Sequence, residues 1–435
     1  MARASGFLRN LVIAFLLIVV VAQLAFAAQT LSNVELFDAV WGAVDESYAG
    51  PGFKPLEWQA TWRELRPLAE KAKDVAATHS VIDRMLSRLN DPHTYYLSPE
   101  QMVELRQAKL AEDRLDVVGI GVLLTQAPDG SVVARQVLPK SPAARAGIRQ
   151  GTRITAVDGH SVKGLPVAAV AQRIRGDKGT KVILSLMDPS NKSRSVTLSR
   201  TDVRFVADVR SKVLPDNIGY LYLPGGGDGF ELKVLGHLRK LQRTQGLIID
   251  LRSGWSAIDL SHMMPILRIA GLFTDLSLGT LVSRQGTFLL TPQRKWESSS
   301  SDSWWRSLLT PPPTAMDVYK KPVAFVVDDS TTWDILAVAM QEIGRAVVVG
   351  RPTATGAGAL AGGYELVDGS GLSVTITYYS SPKQHTLKDG MRPDVTVPMD
   401  LKYLAAWYRG EDPDIGAAKE TLLARIAATK ASAGR

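Results

Sequence analysis

The stretch SPAARAGIRQGTRITAVDG, residues 141–159, decides how the middle of this chain folds. Its first half predicts a short helix, with Ser141 as the N-cap and Pro142 at the first helical position. Its second half, TRITAVDG, predicts a strand that ends in a turn at Asp158 and Gly159. The stretch therefore predicts a small β-rich module with a capped helix between two of its strands.

The residues on both sides continue this pattern over residues 111–200. The segments VVGIGVLLT, SVVARQVLP and KVILSLM predict strands, and PVAAVAQRIRG predicts a second helix. This β-rich order with two helices resembles a PDZ domain, which binds an extended or C-terminal peptide as an added strand along its own edge. The resemblance implies that backbone N–H groups of Val118, Gly119, Ile120 and Gly121 receive the carboxylate of a protein partner. A packing module that binds no peptide is the alternative left open.

The chain on either side of this module predicts two other kinds of structure. Residues 29–110 carry apolar residues at helical spacing and predict an N-terminal helical domain. Residues 201–400 contain short apolar runs, NIGYLYL, GLIIDLR, PVAFVV and AVVVG, with helix-like segments between them. This alternation predicts an α/β core with a mainly parallel sheet. Residues 401–435 predict a helical tail, so the expected fold class is a multidomain α+β and α/β protein.

Residues 1–28 predict a secretory signal peptide. Arg3 and Arg9 precede an apolar run that ends in AFA, an A-x-A cleavage pattern. The run is short for a membrane-spanning helix, which needs ~20 apolar residues. An uncleaved anchor that tethers the chain to a membrane is the second interpretation. Under both interpretations the remaining chain is expected outside the cytoplasm, in the periplasm or secreted.

The composition excludes or disfavours several functions. The 435 residues include no cysteine, which excludes a disulfide framework, a thiolate nucleophile and a cysteine-ligated metal. The net charge of +8 comes from scattered Lys and Arg, so no nucleic-acid partner is indicated. The histidines show no metal-ligand spacing, and no nucleotide, flavin or nicotinamide motif is present. We therefore expect no cofactor and no metal, and a homo-oligomer stays open.

Several segments along the chain resemble one family. MLSRLNDPHTYYLSPEQ, RIRGDKGTKVILSLM, GLIIDLR, GRAVVVG and GMRPDVTVP are similar to segments of the carboxyl-terminal processing proteases, also called tail-specific proteases. The resemblance implies a secreted peptidase that cuts peptide bonds with a serine activated by a lysine. A hydroxyl is a poor nucleophile near neutral pH, so a neighbouring base must take its proton. A lysine can do this only where desolvation lowers its pKa.

The nucleophile and oxyanion positions of that family are substituted in this chain. DDSTTWDI stands where the family has S-A-S-A-S-E-I, which places Thr331 at the nucleophile position, with Ser330 and Thr332 as alternatives. DLRSGWSA stands where the family has D-L-R-N-N-P-G-G, so Ser256 and Ala257 replace the glycine pair. One glycine of that pair helps to form the oxyanion site.

The base and its glutamine neighbour are substituted as well. TATGAGALA stands where the family has T-F-G-K-G-x-V-Q. Ala357 falls at the lysine position, or Gly356 if no gap is allowed. The glutamine position is taken by Ala361, or by Leu360. Losing one member of a cooperative catalytic set removes most of the rate, and further losses add little.

These substitutions lead to three hypotheses of different kinds. The first is an inactive pseudoprotease that binds extended or C-terminal peptides through its PDZ domain. The second is an active serine-type endopeptidase that uses Thr331 or Ser330 with a relocated base, for which the candidates are Lys383, His385 and Lys388 in PKQHTLKDG. The third is a structural subunit outside the cytoplasm.

Overall fold

The computed structural model describes residues 31–112, 116–204, 208–224, 230–252, 260–292, 318–354 and 358–433. Contacts divide the chain into two compact units. The first contains the residues up to Arg106 and the segment Ala361–Thr375, and the second contains Gln107–Leu360 and Ile376–Arg435. The predicted PDZ, core and tail segments thus belong mostly to one unit. The predicted domain boundaries themselves stay predictions.

The first unit is built mainly from helices. Its elements are α1 (Asn33–Ser47), α2 (Pro55–Glu70), α3 (Val75–Ser87), β1 (Tyr95–Leu97) and most of α4 (Pro99–Glu112). Ser32 caps α1 in a capping box with Glu35, which satisfies backbone N–H groups at the helix start. Phe37, Leu65 and Ile82 are fully buried on the facing sides of the three long helices. The predicted N-terminal helices are therefore present.

The second unit begins with the predicted PDZ module, whose β-rich character with two helices is confirmed. Its elements are β2 (Asp116–Gly119), β3 (Val122–Gln126), β4 (Val132–Val137), α5 (Pro142–Arg145), β5 (Arg153–Val157), β6 (His160–Ser161), α6 (Val167–Ile174), β7 (Lys181–Met187), β8 (Ser193–Ser199) and β9 (Thr201–Arg204). The main sheet has the order β3-β4-β5-β7-β8, and β2 pairs separately with β9. Ser141 caps α5 by accepting a hydrogen bond from the Ala144 N–H.

The α/β core follows in the chain. Its elements up to the nucleophile segment are β10 (Arg210–Leu214), β11 (Ile218–Tyr222), α7 (Phe230–Lys240), β12 (Gly246–Asp250), α8 (Leu260–Gly271), β13 (Thr280–Ser283), β14 (Gly286–Leu289) and β15 (Val323–Val327). The remaining elements are α9 (Asp334–Glu342), β16 (Ala346–Gly350), β17 (Ala359–Glu365), β18 (Gly371–Ser380), β19 (Val395–Thr396), α10 (Leu401–Arg409) and α11 (Pro413–Ala433). Most of β17 and the first half of β18 belong to the first unit.

The central sheet of the core has the order β10-β11-β12-β15-β16-β19. All its pairs are parallel except β10 with β11, so the prediction of a mainly parallel sheet is confirmed. Every residue of β12, β15 and β16 is buried, as expected of strands covered on both faces. Helix α11 covers one face, where Leu422 and Ile426 pack against strand residues such as Ile248 and Ala324.

Parallel strands bring their carboxyl ends to one edge of the sheet. In α/β proteins that edge is where ligands usually bind. Here it carries Asp250 as the last residue of β12, Asp328 after β15 and Arg351 after β16. The segment DDSTTWDI therefore lies at the edge where a functional site is expected.

Within the described residues, no helix has both the length and the apolar character that crossing a membrane requires. The predicted signal peptide or anchor, residues 1–28, lies outside them.

Candidate functional site

The candidate nucleophile segment is a tight turn between β15 and α9. The Thr331 N–H donates to the Asp328 carbonyl oxygen at 3.0 Å, and the Asp328 N–H donates to Thr331 Oγ1 at 3.0 Å. The Ser330 N–H and hydroxyl both donate to Asp328 Oδ1, at 3.0 and 2.5 Å. Only 5% of Thr331 is exposed. Both hydroxyls thus form hydrogen bonds with Asp328 within the same turn.

Asp328 is held in turn by arginines. Its Oδ2 lies 3.3 Å from an Nη atom of Arg135, which belongs to β4 of the PDZ module, and 3.5 Å from an Nη atom of Arg351. Burial acts to raise the pKa of Asp328, but Arg135, Arg252 and Arg351 together hold it below its usual value. Asp328 is therefore an anion that orders the turn.

The arginines continue this network to the C-terminal helices. Asp414, at the start of α11, accepts hydrogen bonds from Arg252 at 2.7 Å, from Arg351 at 2.9 Å and from the Tyr403 hydroxyl at 2.7 Å. Arg252 also pairs with Asp250 at 2.9 Å. Such buried charges are stable only when each has a partner, so the network ties the sheet edge to α10 and α11.

Asp334 opens α9 and is the second buried carboxyl of this region. It is 7% exposed, and its Oδ1 has no hydrogen-bond partner among the described residues. Burial raises the pKa of Asp334 to about 7, although the Thr353 hydroxyl acts in the opposite direction. Its protonation state therefore changes close to neutral pH.

The peptide groove predicted for the PDZ module would lie between β3 and α6. In the described part of the chain β3 pairs with one strand, β4, so its other edge is not paired. Helix α6 contacts β3 and β5. Val118 and Gly119 end β2, where they pair with β9, and Ile120 and Gly121 form the turn into β3. The predicted role of these four residues in peptide binding stays a prediction.

The turn before β3 depends on glycine at one position. Gly121 has φ +79°, and an added Cβ would lie 2.2 Å from Cβ of Ser141. The carbonyl oxygens of Ile120 and Gly121 accept hydrogen bonds from the N–H groups of Ala143 and Leu138, each at 2.9 Å. The capped helix that the sequence indicated thus packs directly on this turn.

Comparisons with known proteins agree with this architecture. The sequence model described as Peptidase family S41 matches residues 217–397, and a PDZ domain model matches residues 133–186. The chain is 28% identical over 377 residues to the carboxyl-terminal-processing protease of Picosynechococcus sp., which covers 84% of this chain and 83% of that protein. The carboxyl-terminal processing prediction is thereby confirmed at the level of family. The chain is therefore similar over most of its length to the carboxyl-terminal processing proteases, and its core matches Peptidase family S41.

Further comparisons show the same likeness. Carboxy-terminal processing protease CtpB of Bacillus subtilis is 26% identical over 356 residues, covering 79% of this chain and 68% of that protein. The fold is similar to that of the photosystem II D1 C-terminal processing protease, with a TM-score of 0.54 and 24% identity over 86% of this chain and 98% of that one. The solved structure of mature CPAF complexed with lactacystin has a TM-score of 0.51 at 13% identity, covering 87% of this chain and 96% of that one.

The structure describes only part of the family's catalytic positions. Ala357 at the lysine position, with its alternative Gly356, lies outside the described residues, as do Ser256 and Ala257 of the oxyanion region. Ala361 at the glutamine position is an exposed residue of β17, and its alternative Leu360 is buried in the core. These assignments rest on the sequence alone and stay predictions.

Two of the three candidates for a relocated base, Lys383 and His385, lie at the other end of α9. The His385 Nδ1 lies 2.8 Å from Glu342 Oε1, and the Lys383 N–H donates to Glu342 Oε2 at 2.8 Å. Glu342 is the last residue of the nine-residue helix α9, whereas Thr331 precedes its first turn. Nine helical residues span about 13 Å, so this pairing holds His385 away from the Thr331 hydroxyl. Lys383, His385 and Lys388 are exposed, so none has a desolvated side chain.

Analysis of the sequence missed the residues that organise the nucleophile segment of this family member. Arg135, Arg252, Arg351 and Asp414 come from four separate parts of the chain, and no local pattern links them. The nearest sequence signal was the position of Asp328 directly after a buried strand. In the described part of the chain, no cluster of three or more His, Asp or Glu side chains is arranged to hold a metal ion.

Proposed function

We propose that this chain is an inactive member of its family that acts outside the cytoplasm and binds extended or C-terminal peptides without cutting them. The observation that carries the proposal is the bonding of the Thr331 and Ser330 hydroxyls to Asp328. The cations beside this turn are arginines. An arginine stays protonated in proteins and cannot accept the hydroxyl proton.

The substitutions at the family positions support the same proposal. Alanine at position 357 or glycine at position 356 supplies no base, and alanine at position 361 supplies no amide group. The binding part is supported by the edge of β3 that no other described strand pairs with, since an added strand needs free backbone groups at a sheet edge. The N-terminal segment, as a signal peptide or membrane tether, supports an extracytoplasmic location.

A restoration series tests this proposal. The combined variant Thr331→Ser, Ala357→Lys, Ala361→Gln, Ser256→Gly and Ala257→Gly returns all the family's groups, and it is expected to cleave an unfolded or tailed protein. The unmodified chain and each single variant are expected to give no products, because the groups act as a unit. Cleavage is read by mass spectrometry of the products. Cleavage by the unmodified chain that Thr331→Ala abolishes would instead establish the active alternative.

A binding measurement tests the other half of the proposal. A labelled peptide with a free, apolar C terminus is expected to bind the purified chain, as measured by fluorescence anisotropy. Gly121→Ala is expected to weaken binding, because the new Cβ would disturb the turn that precedes β3. Gly130→Ala is the matched control, since Gly130 also has φ +79° but has open space around it. Equal binding by both variants would argue against this groove.

A further inference from the structure

A polar cavity of about 680 Å³ lies within the second unit, beside the nucleophile turn. The PDZ module contributes Arg135 and Arg149 to its lining, the core contributes Arg210 and Asp328, and the end of α10 contributes Tyr408. Its volume is in the range of ligand-binding pockets, about 300–1,000 Å³. The cavity is separate from the predicted peptide groove, which runs between β3 and α6.

The lining carries an excess of positive charge. It contains five arginines and three aspartates. The aspartates already have cationic partners, since Asp250 and Asp412 pair with Arg252 and Asp328 pairs with Arg135. Arg149 and Arg210 have no carboxylate partner in the described part of the chain. An incoming anion would therefore meet two available cations without having to break an ion pair.

Both available arginines are held against aromatic rings. The Arg210 guanidinium carbon lies 4.7 Å from the centre of the Tyr222 ring, and that of Arg149 lies 5.4 Å from the centre of the Tyr408 ring. Stacking fixes the plane of a guanidinium and leaves the N–H donors on its edge available. Those donors match the two oxygens of a carboxylate, with which arginine forms paired hydrogen bonds.

We propose that this cavity is a second binding site, in which Arg149 and Arg210 bind the carboxylates of a peptide segment. That the ligand is a peptide rests on the proposed function, whereas the preference for carboxylates follows from the cavity alone. Gln136, Gln150 and three tyrosines also line the cavity and suit a peptide with both polar and apolar parts. The carboxylates come from acidic side chains or from a chain end.

Three labelled peptides test this inference on the purified protein by fluorescence anisotropy. The first is Asp-Glu-Tyr-Asp-Glu with an amidated C terminus, the second has the same sequence with a free C terminus, and the third is amidated Asn-Gln-Tyr-Asn-Gln. We expect the first two to bind and the third to bind at least about tenfold more weakly. If only the free C terminus supports binding, the carboxylate comes from a chain end.

The variants locate the binding. The double variant Arg149→Gln, Arg210→Gln is expected to bind the acidic peptide at least about tenfold more weakly than the unmodified chain. Arg243→Gln, an exposed arginine outside the cavity, removes one charge as a control and is expected to change affinity less than about twofold. An equal loss in the double variant and the control would overturn the inference, as would equal binding of the acidic and neutral peptides.

Two further measurements distinguish this site from a general anion site and from the PDZ groove. Displacement of the acidic peptide by equimolar inorganic phosphate would show a general anion site and overturn the peptide assignment. Loss of acidic-peptide binding in Gly121→Ala, with the double arginine variant unaffected, would place the binding in the PDZ groove and overturn the second site. None of these readouts depends on cleavage, so the inference and the proposed inactivity fail independently.

Discussion

The candidate nucleophile turn between β15 and α9 and the turn at Ile120 and Gly121 of the PDZ module differ in where their polar groups point. In the segment after β15, the Ser330 and Thr331 hydroxyls bond back to Asp328, and two arginines neutralise Asp328. In the PDZ module, the Gly121 turn is fixed from behind by the capped helix α5, while β3 keeps an edge without a partner in the described residues. The hydroxyls of the first turn form hydrogen bonds within that turn, whereas the second turn precedes a strand edge that no other described strand pairs with.

This difference is the basis of the proposal that the chain binds peptides without cutting them. A catalytic hydroxyl needs a base and an accessible position. Thr331 is buried, and the arginines that lower the pKa of Asp328 make its carboxylate a weak base. A peptide groove needs free backbone groups at a sheet edge, and β3 has one edge that no other described strand pairs with. Substitutions in the charge network around Asp328 and in the turn at Gly121 therefore test this difference.

The largest expected effect comes from breaking the charge network. Asp328→Ala removes the acceptor for both Ser330 groups and leaves Arg135 and Arg351 without this carboxylate. We expect the free energy of unfolding to fall by about 3–5 kcal/mol, because unpaired buried charges are costly. Denaturant unfolding followed by circular dichroism measures this change. A loss below about 1 kcal/mol would mean that the network does not order the turn.

The second effect is a pH dependence from Asp334. Its folded pKa of about 7 lies above the ordinary value, so the folded state binds more protons than the unfolded chain between about pH 4 and pH 7. This carboxyl therefore makes the fold less stable as pH rises through that window. Asp334→Asn should gain about 2–3 kcal/mol relative to the unmodified chain between pH 5 and pH 8.

Unfolding curves at several pH values measure this relative gain. The exposed Asp389 provides the matched substitution, Asp389→Asn, which should show no comparable gain. A pH-independent difference between Asp334→Asn and the unmodified chain would contradict the assignment of the titration to Asp334.

The third effect concerns the PDZ turn. Gly121→Ala places a Cβ 2.2 Å from Ser141 Cβ at φ +79°, and we expect a loss of about 2–3 kcal/mol. Gly130→Ala has the same φ but no heavy atom within 4 Å of the new Cβ, so it should lose about 1 kcal/mol from conformation alone. Thermal unfolding of both variants isolates the contact with α5. Equal losses would show that this contact does not matter.

The smallest effect comes from an exposed ion pair in the PDZ module. Asp202 pairs with Lys178 at the surface, and both side chains are about half exposed or more. Asp202→Asn should change the free energy of unfolding by less than about 1 kcal/mol, because water and salt screen exposed pairs. A loss as large as that of Asp328→Ala would remove the energetic distinction between the two regions.

Local patterns predicted the elements of the fold but not the network at the sheet edge. Ser141 and Pro142 marked α5 correctly because capping and proline placement act within a few residues. The buried runs marked the parallel strands because burial on both faces requires continuous apolar sequence. Pairs such as Arg135 with Asp328 join residues far apart in the chain, and only the folded sheet and the PDZ module bring them together.

The most direct test of the central claim is native mass spectrometry of the purified chain mixed with a peptide that has a free, apolar C terminus. It reads binding and cleavage in one sample over a long incubation. We expect an intact protein–peptide complex and no shortened peptide, with the same result for Thr331→Ala. Shortened peptide that accumulates with the unmodified chain and disappears with Thr331→Ala would contradict the account, because it would show Thr331 acting as a nucleophile.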